Sequence, residues 1–246
     1  MKRECNRSVL ALGANRLVFA LFVLLASFIY GQDSTGTVID TDGNVYKTIK
    51  IGNQWWMAEN LKVTHYRNGD KILKETSRNK WSDLSSGAYC VYDNDESNAA
   101  IYGNLYNWYA VKDARNIAPQ GWHVATDKEW KQLEMVLDMN GSEADDYGWR
   151  GTNQGSKMAG NASLWENGEL KDDAEFGESG LSALSGGYRD CSNGYYRDMG
   201  FSALFWSFTE FNNDYAWIRY LNYTFSDISR NHNDKRYGFS VRCVRD

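Results

Sequence analysis

Ala216-Trp-Ile-Arg-Tyr-Leu-Asn-Tyr-Thr-Phe-Ser-Asp-Ile-Ser-Arg230 alternates two classes of residue. One register holds Trp217, Arg219, Leu221 and Tyr223, and the other holds Ile218, Tyr220, Asn222 and Thr224. Successive side chains of a strand point to opposite faces, so the alternation predicts one packed face and one free face. A free face that mixes Tyr, Ile, Phe, His, Asp and Arg has the composition of a binding surface. Catalysis needs a fixed set of groups, and this set is varied.

Working outward, the 246-residue chain opens with Lys2, Arg3, Arg7 and Arg16, followed by an apolar run from Leu17 to Tyr30 and polar sequence from Gln32. That order is the pattern of a secretory signal peptide. The run is shorter than the roughly 20 apolar residues of a spanning helix, which makes an uncleaved anchor the lesser reading. Cleavage is expected near Gly31, with Ala26 to Ser27 as the alternative, so residues 1–31 read as leader and 32–246 as one domain with a short N-terminal extension. Cys5 precedes the apolar run and cannot serve as a lipoprotein acceptor. A net charge of -5 and 15% aromatic residues argue against nucleic acid and for a well-filled core. Any contact with a membrane would come only through export or surface attachment.

Along the mature chain, Thr37 to Asp40 and Val45 to Ile51 flank Asp42-Gly43-Asn44, a hairpin signal. Gln54-Trp55-Trp56-Met57 reads as a strand with one indole on each face. Leu105, Trp108 and Tyr109 predict a helix over Tyr102 to Val111. A second helix starts at Thr126, with Glu129 completing a capping box and Trp130, Leu133, Val136 and Leu137 forming the apolar stripe. From Gly148, repeated glycines predict loops with short strands. Leu181 to Leu184, Leu204 to Ser207, Tyr215 to Tyr223 and Gly238 to Val244 read as strands. The order gives an α+β domain of mixed short strands and two helices, with a long loop-rich C-terminal half.

Four segments carry a family resemblance: Ile51-Gly-Asn-Gln-Trp-Trp-Met-Ala-Glu-Asn-Leu61, Tyr102-Gly-Asn-Leu-Tyr-Asn-Trp-Tyr-Ala-Val111, Gly121-Trp-His-Val-Ala-Thr-Asp-Lys-Glu-Trp130 and Gly238-Phe-Ser-Val-Arg-Cys-Val-Arg-Asp246. Together they resemble the Fibrobacter succinogenes major paralogous domain. The resemblance implies a C-type lectin-like fold, in the branch that also holds formylglycine-generating enzymes. It implies no defined activity, and a shared fold is weak evidence for one.

The tail is similar, in turn, to the variable region of target proteins of diversity-generating retroelements, where miscopied template adenines turn Asn codons into other residues. Candidate positions for such a ligand-binding surface are Tyr195, Tyr196, Phe205, Phe208, Phe211, Ile218, Tyr220, Thr224, Phe225, Asp227, Ser229, His232, Asp234, Arg236 and Tyr237. Each of these residue types is reachable from an Asn codon by changing adenines alone. A fixed loop-rich face is the alternative, with Trp206, Trp217, Leu221 and Phe239 as internal scaffold in either case.

The remaining chemical groups read as structural. His65, His123 and His232 are far apart in sequence, and His123 reads as packed at a helix entry. Asp93-Asn94-Asp95-Glu96 lacks the spacing of a calcium loop and reads as a solvated turn, while Asp145-Asp146 and Asp172-Asp173 read as exposed faces. The single proline, Pro119, leaves no Glu-Pro-Asn or Gln-Pro-Asp sugar motif. Three cysteines follow the leader, an odd count that in an exported protein suggests one bridge and one free thiol. Cys90 and Cys243 lie in family-like segments and Cys191 in the variable-looking loop, which makes Cys90 to Cys243 the expected disulfide. No close cysteine pair exists for a formylglycine-type oxidase, and no triad or carboxylate pair stands out. The expectation is a non-enzymatic, exported binding protein without metal or cofactor, whose partner is a protein or glycan at the cell exterior.

Overall fold

The computed structural model describes Met1 and residues 34–246, so the leader and Cys5 lie outside the described residues. Three sheets organise the chain. The first is five-stranded, in the order β1 (Thr35–Ile39), β2 (Val45–Ile51), β3 (Gln54–Met57), β14 (Cys243–Arg245), β7 (Trp122–Val124). The second is three-stranded, β4 (Leu73–Lys74), β5 (Ala88–Cys90), β6 (Leu105–Tyr106). The third is six-stranded, β10 (Tyr196–Met199), β9 (Gly186–Arg189), β11 (Ser202–Glu210), β12 (Tyr215–Asn222), β13 (Ile228–Asp234), β8 (Gly148–Arg150). Residues 34–246 belong to one compact, mixed α+β unit. None of its helices is long and apolar enough to cross a membrane.

Local chemistry accounts for the elements that the sequence marks clearly. In the first hairpin, β1 and β2 pair antiparallel, and Asp40 closes the turn by accepting from the backbone N–H groups of Asp42 and Asn44, each at 2.9 Å. Tyr46 Oη donates to the same carboxylate at 2.5 Å. Trp56 is fully buried while Trp55 is half-buried, as the pleat of β3 requires. The helix Asp127–Val136 begins with the full capping box: Glu129 N–H donates to Thr126 Oγ1 at 3.3 Å, and Thr126 N–H donates to Glu129 Oε2 at 2.8 Å.

Elsewhere the structure departs from the sequence reading. The expected helix over Tyr102 to Val111 is three elements: a helix Glu96–Tyr102, strand β6, and a helix Trp108–Lys112. Gly103, at φ 74, ends the first, because a Cβ there would lie 2.8 Å from Leu61 O. Asn107 starts the last by accepting from Ala110 N–H at 3.1 Å. In place of two helices, the described residues hold the ten-residue helix and six shorter ones of four to seven residues. Leu181 and Ala183 are buried but form no ladder beyond a bridge from Ala183 to Ala159.

The expected disulfide is absent. Cys90 and Cys243 are free and fully buried in different parts of the core, Cys90 with Trp81 and Leu105, Cys243 with Val241 and Val124. Each behaves as a small apolar side chain, and burial pushes the Cys90 thiol up to about 11. Cys191 is free as well.

Candidate recognition face

The array Ala216 to Arg230 is a hairpin, with β12 ending at Asn222 and β13 beginning at Ile228. Cross-strand partners share a face. Trp217 pairs with His232 and Arg219 with Arg230, which places these four on one face; Ile218 pairs with Asn231 and Tyr220 with Ser229 on the other. Packed layers lie against parts of both faces, so neither face is simply free. Arg219 and Leu221 are sealed on the first face beneath the Asp127–Val136 helix. On the second, Ile218 pairs with Trp206 and Tyr220 with Leu204 of β11, and Trp206 packs on Phe239 with ring centroids 4.6 Å apart.

This geometry removes three candidates from the surface. Phe205, Ile218 and Ser229 are 0%, 1% and 2% exposed. Phe205 shares the face of Arg219 and packs on Trp130 at 5.6 Å; Ile218 joins the core around Trp206; Ser229 lies between Trp149 and Tyr220 on neighbouring strands. Trp206, Leu221 and Phe239 are buried as expected. Trp217, expected inside, is only half-buried, with the Arg230 guanidinium 3.7 Å above its ring.

The other candidates fall into four groups. Tyr220 and Phe225 meet Trp149, with ring centroids 5.1 and 4.6 Å away, where the second sheet face opens toward its β8 edge. Trp149 is 38% and Phe225 43% exposed, and Thr224, also exposed, lies in the same turn. Asn222 Nδ2 donates to Tyr220 Oη at 2.8 Å and fixes that ring. Asp227, at the foot of β13, has its carboxyl pushed up by burial, and its Oδ1 has no hydrogen-bond partner.

Phe211 and His232 stack at 3.9 Å in the second group, joined by Tyr147, Tyr215 and Trp217. In the third, Arg236 makes a forked pair with Asp234, and Tyr237 stacks on Phe239 at 5.2 Å and meets Tyr188 at 5.9 Å. The fourth is Tyr195, exposed beneath the Arg78 guanidinium, with Tyr196 Oη donating to Asn94 Oδ1 at 2.8 Å. Phe208 stands apart, under Lys112 Nζ at 3.9 Å.

A buried ionic lattice stiffens the sheet from behind. Asp127, from the first turn of the helix, accepts from Arg219 at 2.8 Å and from Arg230 through both carboxylate oxygens at 2.9 Å. Glu134, two turns further along the same face, accepts from Arg219 at 2.5 Å and pairs with Arg150 of β8. Burial alone would push the Asp127 carboxyl up, but the bonds from Arg230 and Arg219 outweigh it and hold it below the ordinary range. Three strands are thereby tied to one helix.

Sequence reading missed Trp149 and Tyr147, which anchor the first two groups. Their signal is the alternation Tyr147-Gly-Trp149 beside a short strand, masked by the surrounding glycines. Asp93 to Glu96 is a turn in which Asp95 caps the Glu96–Tyr102 helix, accepting from Ser97 N–H at 3.0 Å. Among the described residues no group of three His, Cys, Asp or Glu side chains is placed to hold a metal ion.

The family model of the Fibrobacter succinogenes major domain matches residues 49–245. No curated protein and no solved structure matches the chain significantly.

Proposed function

The chain belongs to the Fibrobacter succinogenes major domain family, and from that premise we propose that it is an exported, non-catalytic ligand-binding protein whose C-terminal sheet displays a variable recognition surface. The observation that carries this reading is the shelf of Trp149, Tyr220 and Phe225, left open on a sheet whose opposite face is fixed by the Asp127 and Glu134 lattice. Rigid aromatic rings supply contact area at small entropic cost, and the neighbouring Asn222 and Asn231 add amide groups. A C-type lectin-like scaffold suits such display, since surface substitutions away from buried features shift stability by only about 0.5 kcal/mol. The protein's partner would be a protein or glycan outside the cell, reached after removal of residues 1–31.

Adenine-directed diversification of this surface is tested on the DNA around the gene. A near-copy of the segment from about Gly187 to Asp246 should stand beside a reverse transcriptase, with mismatches at template adenines falling on Tyr220, Phe225 and His232. They should spare the buried Phe205, Ile218 and Ser229, which leave the variable set on packing grounds. If no copy exists, or if mismatches strike the core as often as the shelf, diversification is refuted. The second reading, a fixed carbohydrate-binding or adhesive module, draws on the same shelf, because Trp and Tyr rings stack on pyranose faces. A glycan array run beside a protein pulldown, each with a Trp149→Ala control, separates the two.

A further inference from the structure

Away from that shelf, a cleft of about 540 Å³ is walled by Lys71, Leu73, Tyr109 and Lys112, with Tyr66 and Gly87 also contributing. Its charge is opposite to that of the molecule. Four cationic side chains and one carboxylate, Asp113, line it, in a chain of net charge -5.

The four cations are not equivalent. Arg115 is engaged by Asp113 through a fork, Nε to Oδ1 at 2.9 Å and Nη2 to Oδ2 at 2.7 Å, and reaches Asp70 at 3.3 Å. Lys235, 4% exposed, pairs with Glu210 and donates to Asn213 O at 2.5 Å. Lys71 and Lys112 are exposed and have no carboxylate partner among the described residues. Lys112 instead lies over the Phe208 ring at 3.9 Å, which holds its ammonium beside the cleft.

A second, independent feature lies in the same wall. Tyr66 is 1% exposed, and its Oη, near the Asp113 carboxylate, makes no hydrogen bond of ordinary geometry. The hydroxyl lies against Gly87, where a Cβ would stand 2.2 Å from it. Glycine at 87 therefore makes room for a polar atom whose protein neighbours, the Asp113 carboxylate and the Arg115 guanidinium, meet it only at poor hydrogen-bond geometry. A buried hydroxyl held in poor hydrogen-bond geometry lowers stability. A phenylalanine at 66 would fill the same space without that cost.

We propose that this cleft binds a tetrahedral oxyanion ester, a phosphate or sulfate carried on a sugar, with Lys71 and Lys112 supplying the charge and Tyr66 Oη a neutral donor. The preference for a tetrahedral group follows from which cations are open. Carboxylates are favoured by the planar fork of arginine, and the fork of Arg115 is already filled; lysines act as point charges without such directionality. The volume exceeds what a bare ion needs, and Leu73 and Tyr109 offer apolar contact to a ring. The site is separate from the shelf around Trp149, so it stands or falls independently of the recognition reading.

Titration calorimetry of the full mature chain at low salt, with glucose 6-phosphate, glucose 6-sulfate, glucuronate and glucose as separate probes, tests the proposal. At least one ester should bind, glucose should not, and glucuronate should bind at least tenfold more weakly; which ester binds identifies the source. Lys71→Gln with Lys112→Gln should weaken ester binding at least tenfold with an unchanged melting temperature. Tyr66→Phe should weaken it several-fold while melting at the same or a higher temperature, and Trp149→Ala should leave it unchanged. Absence of binding by both esters, equal binding of glucose or glucuronate, or insensitivity to the paired lysine substitutions would overturn it. Ester binding that is lost in Trp149→Ala would move the site to the shelf and overturn the cleft assignment.

Discussion

Arg219 Nε donates to Glu134 Oε1 at 2.5 Å, and neither side chain has any solvent exposure. Arg219 comes from the middle of β12 and Glu134 from the third turn of the Asp127–Val136 helix, so this bond joins the hairpin to the layer behind it, alongside those from Arg219 and Arg230 to Asp127. Arg150 on the same carboxylate adds the edge strand β8, which carries Trp149. The shelf is rigid because its far side is ionically tied. Buried pairs add little relative to apolar replacements, yet breaking one strands a charge.

Glu134→Leu is therefore expected to lower stability by about 3–5 kcal/mol, because it leaves Arg219 and Arg150 without their shared carboxylate. Urea unfolding of wild type and variant measures the change. A loss below about 1 kcal/mol would mean that the lattice does not hold the sheet.

Packing separates the shelf from its support. Phe205→Ala removes a fully buried ring that packs on Trp130, and should cost about 3–5 kcal/mol. Phe225→Ala, at a position 43% exposed, should stay within about 0.5–1 kcal/mol. Trp217→Ala should fall between them, since its ring is half-buried under Arg230. Calorimetric melting of the three variants gives the order, and equal losses at Phe205 and Phe225 would contradict the burial described above.

Signals that act over a few residues were legible in the chain. The hairpin closed by Asp40, the capping box at Thr126 and the alternation of β12 all depend on neighbours within one turn or one pleat. What the sequence does not carry is which strands flank β12. Alternation alone predicts one packed and one free face, but the core around Trp206 and Phe239 covers Ile218 on one face and the helix covers Arg219 on the other, so the open area shifts toward β13 and β8. Trp149 reaches Tyr220 only through that distant pairing, and its three-residue strand gives too short a period to mark. Cys90 and Cys243 misled for a related reason: their count suggests a bridge, while each is held in its own apolar cluster.

The thiols make that point testable. With Cys90, Cys191 and Cys243 all free, the mature chain should yield three reactive thiols once unfolded and almost none while native, as all three are buried. Thiol titration in and out of guanidinium gives the count. A melting temperature that drops on adding a reductant would instead reveal a bridge.

The last prediction concerns pH. His123 donates from one ring nitrogen toward Glu129 Oε1 at 2.7 Å and from the other toward Asp246 Oδ1 at 2.6 Å, which requires the imidazolium form. The hydrogen bond to Glu129 raises its pKa, burial opposes the rise and Asp246 reinforces it, with a result of about 9 against an ordinary 6.5. A folded-state pKa above the unfolded one means that folding favours proton uptake, so this contribution is complete below about pH 6.5 and is lost as pH rises through about 9. Solvent screening of the partly exposed pair reduces it to about 1–2 kcal/mol. Glu129 works in the other direction: its carboxyl is held below the ordinary 4.5 by His123 and Thr126 against the opposing effect of burial, so its share is lost only as pH falls below that range. Stability measured by urea unfolding should fall between pH 6.5 and 9 in the wild-type protein, and His123→Gln should flatten that slope while remaining folded. An unchanged slope in the variant would show that the imidazolium does not link the β7 end of the first sheet to the helix.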